Sequence, residues 1–209
     1  MQIRKFRHSC LHVTDSDASI LIDPGAFSTG YDSLTGLTAV LITHGHADHL
    51  DPDGLARVLT ANPQASVYAD AASAAQLAET GTAVTAVRPG EVLDVGTSVQ
   101  VSGGEHAVIH DDIPRVPNVC YLIGDTLLHP GDSLVVPDRP VPVLALPVSA
   151  PWMAVKEAVD YLRAVAPGRA LPIHEQVLAS PAMAYRIISS LAPGGTVWSD
   201  IDDGSVLEV

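Results

Sequence analysis

The stretch Leu41-Ile42-Thr43-His44-Gly45-His46-Ala47-Asp48-His49-Leu50 places His44, His46, Asp48 and His49 within six residues. Neutral imidazole nitrogens and carboxylate oxygens are ligands for zinc, iron or manganese. His44 and His46 can converge on one ion, and Asp48 and His49 can face a second. Something rigid must hold such a loop. The apolar run from Thr38 to Ile42 reads as a short buried strand that ends where the ligands begin. Gly45, with no Cβ, allows a sharp turn between the first two imidazoles. A polar turn with surplus histidines is the plainer reading, but four ligand-type residues directly after a buried strand weigh against it.

Three later segments carry the same residue types: Gly103-Gly104-Glu105-His106, His129-Pro130-Gly131-Asp132-Ser133 and Leu171-Pro172-Ile173-His174-Glu175. Together with His-x-His-x-Asp-His they make the chain resemble the metallo-β-lactamase-fold superfamily. That pattern continues with a later His, a bridging Asp and a last His, each at the end of a strand. The resemblance covers nearly the whole length. It is strongest toward small metal-dependent hydrolases related to ascorbate-6-phosphate lactonase, which carry similar Gly-Asp and Pro-x-His segments.

The resemblance implies an α+β fold: a four-layer αββα sandwich of two mainly antiparallel sheets with helices outside, as one domain over residues 1–209. It implies two divalent metal ions, with Zn2+ foremost and Mn2+ or Fe2+ as alternatives. His44, His46 and His106 would hold one ion, Asp48, His49 and His174 the other, and Asp132 would bridge. It implies hydrolysis of a small ester, lactone or phosphoester by a metal-bridged hydroxide, which Asp48 would orient. The family also places an Asp at the position of Asp23, where it orients the His44 loop; an Asx-turn before Pro24 explains Asp23 equally well.

The remaining elements follow from pattern. Residues 2–7, 9–14 and 18–23 read as a meander of three strands, turning at Asp15-Ser16-Asp17. Asp51 reads as an N-cap with Pro52 in the first helical position. Asp70 caps an Ala-rich helix closed by Gly81. Residues 117–124 and 126–129 form a hairpin around Gly124-Asp125. Pro151 opens a helix that leads to a strand ending at His174. Short strands at 196–198 and 204–208 close the chain. The two halves share an outline, whereas composition alone gives only α/β or α+β.

His106 and His110 compete for one role. If the segment is extended they share a face but lie about 13 Å apart, too far to bind one ion. His106 is preferred, because it follows the Gly103-Gly104 bend and agrees with the resembling pattern; His110 then lines the pocket as a catalytic acid–base group or lies on the surface. Trp152 and Tyr31 can wall the pocket, although ordinary packing suits each better. His8, His12 and His129 read as structural.

The balance of 11 basic and 24 acidic residues, net −13, argues against nucleic acid as a partner. It leaves a small-molecule substrate open, since two divalent ions make a pocket positive inside an acidic protein. No apolar run is long enough to span a membrane. The N-terminus has no apolar core of a signal peptide, and Cys10 and Cys120 stand alone, so a cytoplasmic location is expected. A homo-oligomer is left open. Two readings compete with a small-molecule hydrolase: a phosphodiesterase or nuclease on the same fold, and a non-catalytic metal- or ligand-binding protein. A redox role is disfavoured, because diiron relatives carry Glu where this chain has His46.

Overall fold

The computed structural model describes residues 1–209. The chain opens with the expected meander, β1 (Gln2–Lys5), β2 (Leu11–Asp15) and β3 (Ala18–Ile22). Then come β4 (Ala39–Ile42), α1 (Pro52–Ala61), β5 (Ser66–Ala69), α2 (Ala71–Glu79) and β6 (Thr85–Ala86). The second half repeats this plan with β7 (Val92–Asp94), β8 (Ser98–Glu105), β9 (Pro117–Ile123), β10 (Leu127–His129) and β11 (Val143–Pro147). It continues through α3 (Val155–Val165), β12 (Arg169–Ile173), α4 (Ala182–Ser190) and β13 (Val197–Trp198). Finally β14 (Val206–Glu208) returns to pair with β1.

Two seven-stranded sheets result, ordered β14-β1-β2-β3-β4-β5-β6 and β13-β12-β11-β10-β9-β8-β7. They are mixed, not mainly antiparallel as expected. In the first, β14 to β3 pair antiparallel and β3 to β6 parallel. In the second, β7 to β10 pair antiparallel and β10 to β13 parallel. The cause is the crossovers. α1, α2, α3 and α4 each carry the chain back to start the next strand in the same direction, and the long connections 23–38 and 130–142 do so between β3 and β4 and between β10 and β11, as parallel pairing requires.

One apolar cluster lies between the sheets, with Ile3, Val13, Ile20, Ile22 and Leu41 meeting Val101, Tyr121, Val143, Leu171 and Ile173. Two more lie outside. Leu55, Val58 and Leu77 of α1 and α2 cover Val40, Ile42 and Val67. Val159, Leu162 and Ile188 of α3 and α4 cover Leu144, Leu146 and Ala170. This is the αββα sandwich. The caps hold as read: the Asp51 side chain accepts from the Asp53 N–H, and Asp70 from Ala72 and Ser73. The third helix starts at Val155, later than the expected Pro151, and Trp152 lies in the turn before it. No helix is long and apolar enough to cross a membrane.

Candidate metal centre

Strand ends of both sheets meet at one edge of the sandwich. β4 delivers Thr43 and His44, β8 His106, β10 the turn to Asp132, β12 His174, and β3 Asp23. Two clusters form there, each with its potential ligand atoms within 4.8 Å of one another: His44, His46, His106 and Asp132; and His8, Asp48, His49 and His174. All seven expected ligands are thus brought together. His8, read from sequence as structural, joins them.

Asp132 faces both clusters. Its Oδ1 stands 3.0 Å from His49 Nε2 and 2.9 Å from His174 Nε2, and its Oδ2 stands 3.2 Å from His106 Nε2. The turn that presents it is tightly built. Gly131 takes φ 58°, and a Cβ there would run into Asn118 Oδ1 and lie 2.7 Å from Thr43 Cβ, so only glycine fits. Asn118 also accepts from the Asp132 N–H at 2.9 Å and donates to Pro130 O. Trp152 Nε1 donates to Asp132 Oδ2 at 2.9 Å, and its ring meets His106 edge-on. The aromatic is therefore part of the site, where the sequence favoured ordinary packing. Tyr31 is not; its hydroxyl donates to Pro24 O in the core under α1.

The imidazoles are held from behind. His49 Nδ1 lies 2.7 Å from Asp23 Oδ2, His174 Nδ1 2.8 Å from Ser149 O, and His106 Nδ1 2.6 Å from Ala107 O. Asp23 also accepts from Thr43 N and Thr43 Oγ1, so it does orient the loop that begins at His44. These outer partners fix ring tautomer and angle, turning each Nε2 inward. His129 is structural as read, donating to Ser9 O at 2.9 Å, and His12 meets Ser19 on the sheet. Gly45 does not adopt a left-handed turn; its role is room, since a Cβ would stand 3.1 Å from Ser73 Oγ.

His110 is not brought to the clusters. The segment is not extended through residue 110: β8 ends at Glu105, its last residues bent at Gly103 (φ 81°) and Gly104 (φ 145°). His106 then turns inward under two tethers, its own N–H to Val116 O and the Ala107 N–H to Asp132 O. His110 lies in the loop beyond, 65% exposed, near Asp112.

The donor set fits divalent ions. Asp132 Oδ1 and His106 Nε2 are buried without a hydrogen-bond partner. His106 Nε2 faces a carboxylate oxygen, and His44 Nε2 approaches His46 Nδ1 to 3.1 Å. Electron-rich atoms so close need a proton or a cation between them, and one ion per cluster satisfies all of them together. Burial pushes the His44 and His46 imidazoles down, keeping them in the neutral, ligating form. Burial would raise the Asp132 carboxyl, but His49, His106 and His174 around it hold it well below the usual carboxylate range. The side exposed to solvent is formed by His46 and by Asp48, whose side chain is 20% exposed. A cleft of about 140 Å³ opens beside His46, lined by Gly45, Ser73, Gln76, Val116 and Pro117.

A family model described as a beta-lactamase superfamily domain matches residues 2–174, from β1 to the last site histidine. The chain belongs to that superfamily. Protein Rv0786c of Mycobacterium tuberculosis is 50% identical over 188 residues, which cover 87% of each chain. The UPF0173 metal-dependent hydrolase MJ1163 of Methanocaldococcus jannaschii is 26% identical, with 81% of this chain and 82% of that one covered. Among solved structures, the metallo-beta-lactamase fold protein YhfI of Bacillus subtilis superposes with a TM-score of 0.75 at 17% identity, covering 99% of this chain and 98% of that one. Igni18, a metallo hydrolase of Ignicoccus hospitalis, gives 0.74 at 19% identity, covering 100% and 98%. At these identities the solved structures establish the fold, which is the metallo-β-lactamase sandwich.

Proposed function

We propose that this protein is a dinuclear metal-dependent hydrolase of a small ester, lactone or phosphoester. The observation that carries the reading is Asp132, one oxygen turned to each of two imidazole clusters. His44, His46 and His106 would hold one ion and Asp48, His49 and His174 the other, with Asp132 between. Ligand sets rich in imidazole favour Zn2+, with Mn2+ or Fe2+ as alternatives. Two such ions lower the pKa of bound water and polarise the bond under attack.

The chain's own residues do the rest. Asp23, Ser149 O and Ala107 O fix the rings. Trp152 holds Asp132 through the hydrogen bond to its Oδ2. Asp48, the partly exposed carboxylate of the set, would orient the attacking water. The acidic balance favours a small molecule over nucleic acid, and two buried, unpaired cysteines suit a reducing, cytoplasmic compartment.

The test is a panel of lactones, carboxylic esters, thioesters, phosphodiesters and a structured RNA, run on protein loaded with Zn2+ or Mn2+ and on chelated protein. Turnover of a small ester, lactone or phosphoester, lost on chelation and restored by metal, is expected. Faster cleavage of the RNA would replace this reading with the nuclease one. Two bound ions with no turnover across the panel would favour the metal- or ligand-binding alternative.

A further inference from the structure

The His8 imidazole is buried in the turn between β1 and β2 and stands 3.0 Å from Asp48 Oδ2 through its Nε2. We infer that His8 is a positioning residue: its Nε2–H holds the Asp48 carboxylate in the orientation that meets the second ion. The inference rests on the dinuclear reading above and assigns a role that the metal ligands do not explain.

His8 is the donor that serves this oxygen. His174 Nε2 and His49 Nε2 lie 3.4 and 3.9 Å from Asp48 Oδ2, but both rings have Nδ1 engaged behind them, and with an ion bound their Nε2 lone pairs point to it. The tautomer of His8 follows from its surroundings. Its Nδ1 is buried with no partner. A proton on Nδ1 would leave a buried donor unmet and set an Nε2 lone pair against a carboxylate, two penalties at once. A proton on Nε2 removes both. His8 is not needed as a ligand, since His49 Nε2, His174 Nε2, Asp132 Oδ1 and Asp48 Oδ2 already make a four-donor set of the kind zinc takes.

The backbone is held to this end. Arg7 (φ 65°) and His8 (φ 48°) are both left-handed, a conformation that is strained for L side chains and persists where surrounding contacts enforce it. The enforcing contact is Glu175, next to the site histidine His174. Its Oε1 accepts the His8 N–H at 2.7 Å, while its Oε2 accepts from the buried Lys5 Nζ at 2.6 Å. The rings of Phe27 and His174, with centroids 5.2 and 4.1 Å away, confine the imidazole further.

The experiment titrates the metal-free full chain and its His8→Gln and His8→Leu variants with Co2+, reading stoichiometry by elemental analysis and coordination by the visible d–d spectrum. The Gln side-chain amide can donate from near the place of Nε2; Leu cannot donate. Wild type should take two ions. His8→Leu should take the first normally and the second roughly 10–100-fold more weakly, the usual scale for losing a partner of a metal ligand, and His8→Gln should recover most of that loss. If His8→Leu is unfolded when metal-free, His8→Asn, whose shorter amide cannot reach Asp48, replaces it. A second site of unchanged affinity in the non-donating variant would reduce His8 to packing and overturn the inference. Equal loss in both variants, with a changed second-site spectrum, would make His8 a direct ligand and overturn it too. A wild type that binds fewer than two ions would remove the dinuclear reading itself, a distinct result.

Discussion

Asp23 Oδ2 lies 2.7 Å from His49 Nδ1, and neither side chain has any solvent exposure. The same carboxylate accepts from Thr43 N and Thr43 Oγ1, so one buried group ties the strand end to an imidazole of the second cluster. Asp23→Asn is a sharp probe because Asn tolerates the φ of 48° found here. An amide N–H facing His49 Nδ1 would drive the ring proton to Nε2, the nitrogen that must be free to ligate. The expected outcome is a second ion bound about 10–100-fold more weakly with the fold kept. Metal titration with far-UV circular dichroism checks it; unchanged affinity would show that Asp23 does not set the tautomer.

His106 and His110 differ in environment despite their closeness in sequence. His106→Ala removes a buried nitrogen that faces Asp132, so the first ion and activity should both be lost. His110→Ala alters a side chain that is 65% exposed, so metal content should stay at wild type and rate within about twofold, where an acid–base role would cost about 10²–10⁴-fold. Elemental analysis and steady-state rates on both variants decide. Metal loss in His110→Ala with retention in His106→Ala would contradict the placement of this loop.

The ligand loop was legible because its chemistry is local: four donors in six residues after a buried strand. The choice of His106 was legible through the Gly103-Gly104 pair, whose positive φ angles bend the last residues of the strand before it. Strand direction was harder to read. Runs buried throughout, such as Ala39–Ile42 and Val143–Pro147, are the mark of central parallel strands, yet an antiparallel pattern was expected. His8 was not legible. Its partner Asp48 is 40 residues away, and the Glu175 carboxylate that sets its backbone is 167 residues away. The place of Trp152 is not legible either, because nothing local links it to Asp132, 20 residues away.

Removing the metal should also weaken the fold. Ions that bind only the folded chain stabilise it by mass action, about 2.7 kcal/mol when free metal stands at 100 times Kd. For a chain of this size that corresponds to roughly 5–10 °C in Tm. Chelated protein should melt lower by this amount and recover on adding Zn2+ or Mn2+. A Tm that ignores both chelator and metal would count against occupancy of the buried clusters.

The last prediction concerns the pair behind His8. Lys5 Nζ, with a fully buried side chain, bonds Glu175 Oε2 at 2.6 Å, Asp202 Oδ1 at 2.6 Å and Pro172 O at 2.8 Å. Breaking such a pair from one side strands a charge in the interior, at a cost of about 3–5 kcal/mol, whereas removing both charges costs less than the sum. Lys5→Met should therefore destabilise strongly. Glu175→Gln should do so less, because its amide oxygen can still accept from either Lys5 or the His8 N–H. The double variant should be more stable than additivity predicts by about 1–3 kcal/mol. Urea denaturation of metal-free protein measures all four corners without interference from ion binding. Additive single effects would mean that the two residues act independently, and that Asp202 and Pro172 O alone hold Lys5 in place.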